Sequence, residues 1–203
     1  DKNSIPSISV QANSSALPSL EPLQLGREVL EPVGQTHVLA KYSDGSPAVT
    51  RNTYGKGQAF VVGFFAGGEY GAGVFQRTYD TAVNLKAENR AYVSIAAEAA
   101  GVKPVVDAQV APVEGVLLKN SASGKHAVVL MNWSYKAYED DLEGDIDYSV
   151  TKYPDLKVKV RGVSNVMRVY SCAMDKDIQA QNTPDGIIAT IPEFASGDIL
   201  LVE

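Results

Sequence analysis

Thr36-His37-Val38-Leu39-Ala40-Lys41-Tyr42-Ser43-Asp44-Gly45-Ser46-Pro47-Ala48-Val49-Thr50-Arg51-Asn52-Thr53-Tyr54-Gly55-Lys56-Gly57-Gln58-Ala59-Phe60-Val61-Val62-Gly63-Phe64-Phe65 decides how the first half of the chain folds. Residues 36–42 read as a strand, 43–46 as a turn and 47–52 as a second strand. Gly55 and Gly57 can take positive φ, so both are expected to shape a tight connection into the next strand. Residues 58–65 are nearly all apolar, the pattern of a strand covered on both faces.

Upstream, residues 1–22 are rich in Ser, Asn and Pro with single hydrophobics, the composition of an extended lead-in. The chain opens at Asp1 rather than Met and is expected to be a processed product or a piece of a longer protein. Downstream, the glycine-rich, aromatic stretch 66–79 reads as a loop. Leu85, Tyr92, Ile95, Ala96 and Ala99 then recur at helical spacing, with Gly101 placed to cap a helix and Pro104 to stop it. Residues 23–104 therefore form an α+β part, a β-hairpin with one helix.

Beyond Pro104 the helical period vanishes. Short β-rich runs at 113–119, 125–132, 149–151, 156–160, 166–171, 187–191 and 198–202 are spaced by turn signals such as Pro184-Asp185-Gly186. That spacing predicts an antiparallel β-sandwich over 105–203.

Composition excludes some partners. Residues 1–103 carry nine basic and nine acidic side chains, and 104–203 nine and fifteen, which accounts for the net charge of −6. No basic patch exists to neutralise phosphates, so nucleic acid is not an expected partner. No run approaches the roughly 18 apolar residues that a helical membrane span requires. The single cysteine, Cys172, rules out an internal disulfide and reads as a small buried apolar residue in a strand.

No motif assembles a catalytic or cofactor site. Gly67-Gly68-Glu69-Tyr70-Gly71-Ala72-Gly73 has neither the dinucleotide order nor the Lys-Ser/Thr pair of a phosphate cradle, and reads as a surface loop. The six carboxylates within 139–147 lack the EF-hand order and read as a solvated loop rather than a cation site. Glu69 and Glu114 are isolated acids with no partner in spacing, although glycosidases use two such groups. His37 and His126 lie in strands without a nucleophile elbow or a zinc pattern, and read as structural. Catalytic, metal and cofactor residues are all expected to be none. Trp133, Tyr135 and Tyr138 form an aromatic cluster that suits burial against a neighbouring domain, the favoured reading, or stacking on sugar faces.

Residues 40–63, with "DGSPAV" and "YGKGQAFVVG", resemble a segment of the trimerisation domain of microbial β-galactosidases, which has a class I glutamine amidotransferase-like sheet. The resemblance continues more weakly through the helix, the phrase Ala100-Gly101-Val102-Lys103-Pro104 and the β-rich tail. A complete domain of that kind needs several more βα units before residue 36, so the resemblance implies either that residues 23–104 are a truncated α/β domain or that the hairpin serves a different, smaller architecture. In that family the catalytic carboxylates lie in an upstream barrel, so no catalytic residue carries over. The resemblance thus implies a non-catalytic accessory or assembly module of a secreted or periplasmic bacterial glycoside hydrolase-like protein, partnered by upstream domains, by further copies of itself, or by carbohydrate. A carbohydrate-binding module and a self-contained glycoside hydrolase are the rival readings.

Overall fold

The computed structural model describes residues 8–13, 17–20, 22–23, 25–71, 79–80, 85–139 and 146–203. No helix among them is long and apolar enough to cross a membrane. The chain divides into two compact units, one of residues 1–74 with 84–103 and one of 75–83 with 104–203.

The first unit is built on a four-stranded antiparallel sheet in the order β1 (Val10–Ala12), β2 (His37–Tyr42), β3 (Pro47–Tyr54), β4 (Gly57–Val62). The β2–β3 turn is held by Asp44, whose carboxylate accepts from the Ser46 N–H at 2.9 Å and the Ser46 hydroxyl at 2.6 Å. Tyr54 pairs with Gly57 across a two-residue turn, and Gly55 takes φ +58 at its first position, where such hairpins favour glycine. Gly57 departs from expectation: it has no positive φ, and a Cβ there would meet only the Tyr54 carbonyl at 3.7 Å.

A second departure concerns β4. Its apolar run predicts cover on both faces, yet Val61 is 51% exposed, and Gln58 and Ala59 are exposed as well. The strand lies at the end of the sheet, and only Val62 of its residues packs on the core.

The stretch read as a loop begins instead with a short helix, α1 (Ala66–Tyr70). A 3-10 turn (Ala87–Asn89) leads into α2 (Arg90–Ala99), which ends as the sequence predicts. Gly101 takes φ +70 and its N–H bonds to Glu98 O at 2.9 Å, while the Val102 N–H bonds to Ala97 O at 2.9 Å. These two bonds close a Schellman motif. Tyr92 packs edge-on against Phe64 at 5.1 Å, 2% exposed, and its hydroxyl donates to Pro18 O. The lead-in is thereby part of the core: Val10, Leu17 and Leu20 are buried with Tyr42 and Val49.

The second unit is an antiparallel β-sandwich, as the sequence predicts. Its strands are β5 (Tyr79–Asp80), β6 (Val106–Asp107), β7 (Val113–Lys119), β8 (His126–Asn132), β9 (Tyr135–Glu139), β10 (Ile146–Val150), β11 (Tyr153–Arg161), β12 (Val169–Ser171), β13 (Lys176–Thr183), β14 (Gly186–Phe194) and β15 (Gly197–Val202). Eight of them run in the order β6-β11-β14-β13-β12-β15-β8-β7. The two ends meet, since a Cβ on Gly115 of β7 would lie 2.3 Å from Val106 of β6. β13 serves both layers: residues 176–178 pair with β12, and residues 179–183 with β14.

Period-two alternation fills the interior. Leu156, Val158 and Val160 of β11 and Ile187, Ala189 and Ile191 of β14 are buried, while Lys157 and Lys159 face out between them. Val128, Leu130 and Leu200 close the core from the other layer. Each such large aliphatic contributes about 1.5–3 kcal/mol of burial.

The outer face of β7, β8 and β15 breaks the alternation rule. The ladder sets Val116, Val129 and Ile199 in one row and Leu118, Ala127 and Leu201 in the next. Val116, Leu118, Ile199 and Leu201 are 40–59% exposed, and Met131 on the same face is 46% exposed.

Cys172 also differs from its reading. The strand ends at Ser171, which takes the inward position, and the chain turns at Cys172, leaving the thiol side chain exposed.

Candidate functional site

The aromatic cluster sits where β8 hands over to a small sheet of order β10-β9-β5. Asn132, the last residue of β8, organises the transition. Its amide nitrogen donates to Thr151 O at 2.8 Å and Ala195 O at 2.5 Å, and its Oδ1 accepts from the Ser134 N–H at 2.8 Å and the Ser134 hydroxyl at 2.5 Å. Ser134 is 1% exposed, and its carbonyl accepts from the Thr151 N–H at 2.9 Å. Between half-buried Asn132 and buried Ser134 the Trp133 N–H donates to Pro112 O at 2.8 Å. The result is a hydrogen-bonded pedestal on which Trp133 is 51% exposed.

Tyr135 follows on β9 and is half-buried. Its ring meets that of Tyr148 on β10, centroids 6.4 Å apart and tilted at 56°. The register places Tyr135 opposite Val150 and Ala137 opposite Tyr148, which puts the two tyrosines on one face as diagonal neighbours. Tyr148 is 67% exposed. Lys136 ties the sheet to β5 through Asp80 at 2.7 Å. The backbone of Tyr138 lies in β9, opposite Asp147, and its side chain lies outside the described residues. The structure therefore brings Trp133 and Tyr135 to one region and adds Tyr148, which the sequence reading missed. The alternation of Ile146, Tyr148 and Val150 is the signal that would have found it.

The other candidates are dispersed. Glu69 is 4% exposed in α1, and its carboxylate accepts from the Leu25 N–H at 3.1 Å, a structural use of the acid. Glu114 is exposed on β7. His37 is exposed at the start of β2, and His126 is half-buried at the start of β8. Residues 140–145 of the acidic run lie outside the described residues. Among the described residues, no group of three or more His, Cys, Asp or Glu side chains is arranged to hold a metal ion.

The clearest electrostatic perturbations are local. The Arg27 guanidinium, 2.8 Å from Asp44, and the Ser46 donors hold the Asp44 carboxyl well below the usual carboxylate range. Burial pushes the Tyr92 phenol up to about 12. The first holds a turn and the second lies in the core of the first unit.

No protein-family model and no curated protein matches the chain. Among solved structures, the chain is similar in fold to alpha-L-fucosidase isoenzyme 2 from Paenibacillus thiaminolyticus, with a TM-score of 0.65 and 12% identity. The match covers 99% of this chain and 32% of that one, so the chain spans about a third of that enzyme's length. At this identity the likeness is one of fold: a β-rich arrangement that also occurs within a glycoside hydrolase.

Proposed function

We propose that the chain is a non-catalytic accessory or assembly module of a carbohydrate-active, glycoside hydrolase-like protein. The observation that carries this reading is the correspondence of nearly the whole chain to a third of a fucosidase. Two features support it. Glu69 spends its carboxylate on the Leu25 backbone, and the exposed rows of Val116 with Ile199 and Leu118 with Leu201 suit packing against further protein. The likeness of residues 40–63 to a β-galactosidase trimerisation domain extends the proposal to self-association and to a secreted or periplasmic setting.

The test is hydrolysis. The chain is expected to turn over no chromogenic glycoside, aryl α-L-fucoside included. Turnover that disappears on Glu69→Gln or Glu114→Gln would overturn the reading in favour of a self-contained hydrolase. Light scattering after size-exclusion chromatography tests self-association.

A second reading, carbohydrate binding, is favoured by the half-exposed indole on its Asn132–Ser134 pedestal beside Tyr135 and Tyr148. Rings held in this way can stack on the apolar face of a sugar. Trp133 is the chain's one tryptophan, so its fluorescence reports directly on glycan titrations.

A further inference from the structure

The second unit has a concave mouth where the β7–β8 turn, the β11–β12 connection and the end of β15 come together. Its volume is about 530 Å3, within the range of small-molecule sites. It is lined by residues 123–126, residues 162–164, Val166, Val202 and Glu203. Its apolar lining is Val166, half-buried, backed by the core residues Val163 and Val202, 6% and 3% exposed. The rim is polar.

Glu203 is the fixed point of that rim. Its Oε1 lies 2.5 Å from Lys125 Nζ and its Oε2 3.5 Å from Arg168 Nη1. Its backbone is zipped to β12's approach, with the N–H donating to Arg168 O at 3.0 Å and the carbonyl accepting from Met167 and Arg168 at 2.7 and 3.0 Å. The two cations hold the carboxyl below its ordinary range, so it is ionised at neutral pH and acts only as an acceptor. His126, paired with Val202 on the neighbouring strand, is half-buried, and Ser164 is exposed.

We propose that this mouth binds a single sugar ring, either a free monosaccharide or the end residue of a glycan. A pyranose has one face of C–H bonds and an edge of hydroxyls. The half-buried Val166 can meet the face. The Glu203 carboxylate can accept from two adjacent hydroxyls in charge-assisted bonds, and His126 and Ser164 can take others. Because Glu203 is already ordered by Lys125 and Arg168, little side-chain freedom is lost on binding. Mouths of β-barrels are common ligand positions, and here the sheet is nearly closed. The choice of sugar over other polyhydroxylated rings rests on the carbohydrate reading above; the place of binding rests on the mouth itself.

The chain has two histidines, one in the mouth and one, His37, in the other unit. Their imidazole C–H signals can therefore be followed separately by NMR while the full chain is titrated with the methyl glycosides of glucose, galactose, mannose and L-fucose into the tens of millimolar. At least one sugar is expected to shift the His126 signals saturably and leave those of His37 in place. Glu203→Gln should weaken binding about tenfold or more, the scale of one charge-assisted hydrogen bond. Ser164→Phe, at an exposed position, should abolish it by filling the mouth without disturbing Lys125 or Arg168. No saturable shift with any sugar, equal movement of both histidines, or unchanged affinity in Ser164→Phe would each overturn the proposal. A Trp133 fluorescence response without a His126 shift would remove the mouth site and leave the carbohydrate reading standing, whereas silence from both probes would remove both.

Discussion

At the scale of residues, the buried phenol of Tyr92 makes a pH-dependent contribution. Its pKa is raised from 10.0 to about 12, so the folded state keeps a proton that the unfolded chain releases first. The stability contributed by the neutral phenol is intact below pH 10 and is lost as the pH climbs through about 12. Thermal melts across that window should slope downward, and Tyr92→Phe should flatten the slope while costing about 1 kcal/mol at neutral pH for the lost bond to Pro18. At Gly55, with φ +58, a β-branched side chain is poorly accommodated, so Gly55→Val should cost about 1 kcal/mol or more in chemical denaturation. The same change at Gly57 should cost less. The sequence cannot separate these two glycines, because either could have supplied the turn's positive φ. Of the aromatic residues, Trp133 and Tyr135 stand in one phrase of the sequence, whereas Tyr148 shows there only as part of an alternating run, and the strand register is what sets it beside Tyr135. Cys172 was misread because one residue separates the inward Ser171 from an exposed turn.

At the scale of elements, strands with one buried face announced themselves. The alternation in β11 and the apolar runs in β8 and β15 placed them close to their observed bounds. β13 did not, because Lys176-Asp177-Ile178-Gln179-Ala180-Gln181-Asn182-Thr183 is exposed at all but two positions and so carries no apolar period. β4 failed in the opposite sense. Its apolar residues describe hydrophobicity, and the sheet order decides whether a neighbour covers them. The acidic run between β9 and β10 bears a prediction of its own. Carboxylates this close repel within the Debye length of about 8–10 Å, and water is their cheapest counter-environment. Millimolar calcium is therefore expected to leave the melting temperature unchanged. A clear rise, abolished by Asp141→Asn with Asp145→Asn, would instead reveal a cation site.

At the scale of the molecule, the apolar outer face of β7, β8 and β15 should govern how the chain behaves alone in solution. An environment-sensitive hydrophobic dye is expected to bind there, and Leu118→Lys with Leu201→Glu should reduce the signal without lowering the melting temperature, because neither side chain enters the core. The shared strand β13 has a consequence in time rather than in space. Its first three residues belong to the ladder with β12 and its last five to the ladder with β14, so neither layer can peel away while the other keeps its full set of partners. Amide protons on β12 and on β14 should then exchange with solvent through one common opening event, at matching free energies, rather than layer by layer. A sandwich stitched in this way is then expected to offer proteases and stray strands no half-open state to find.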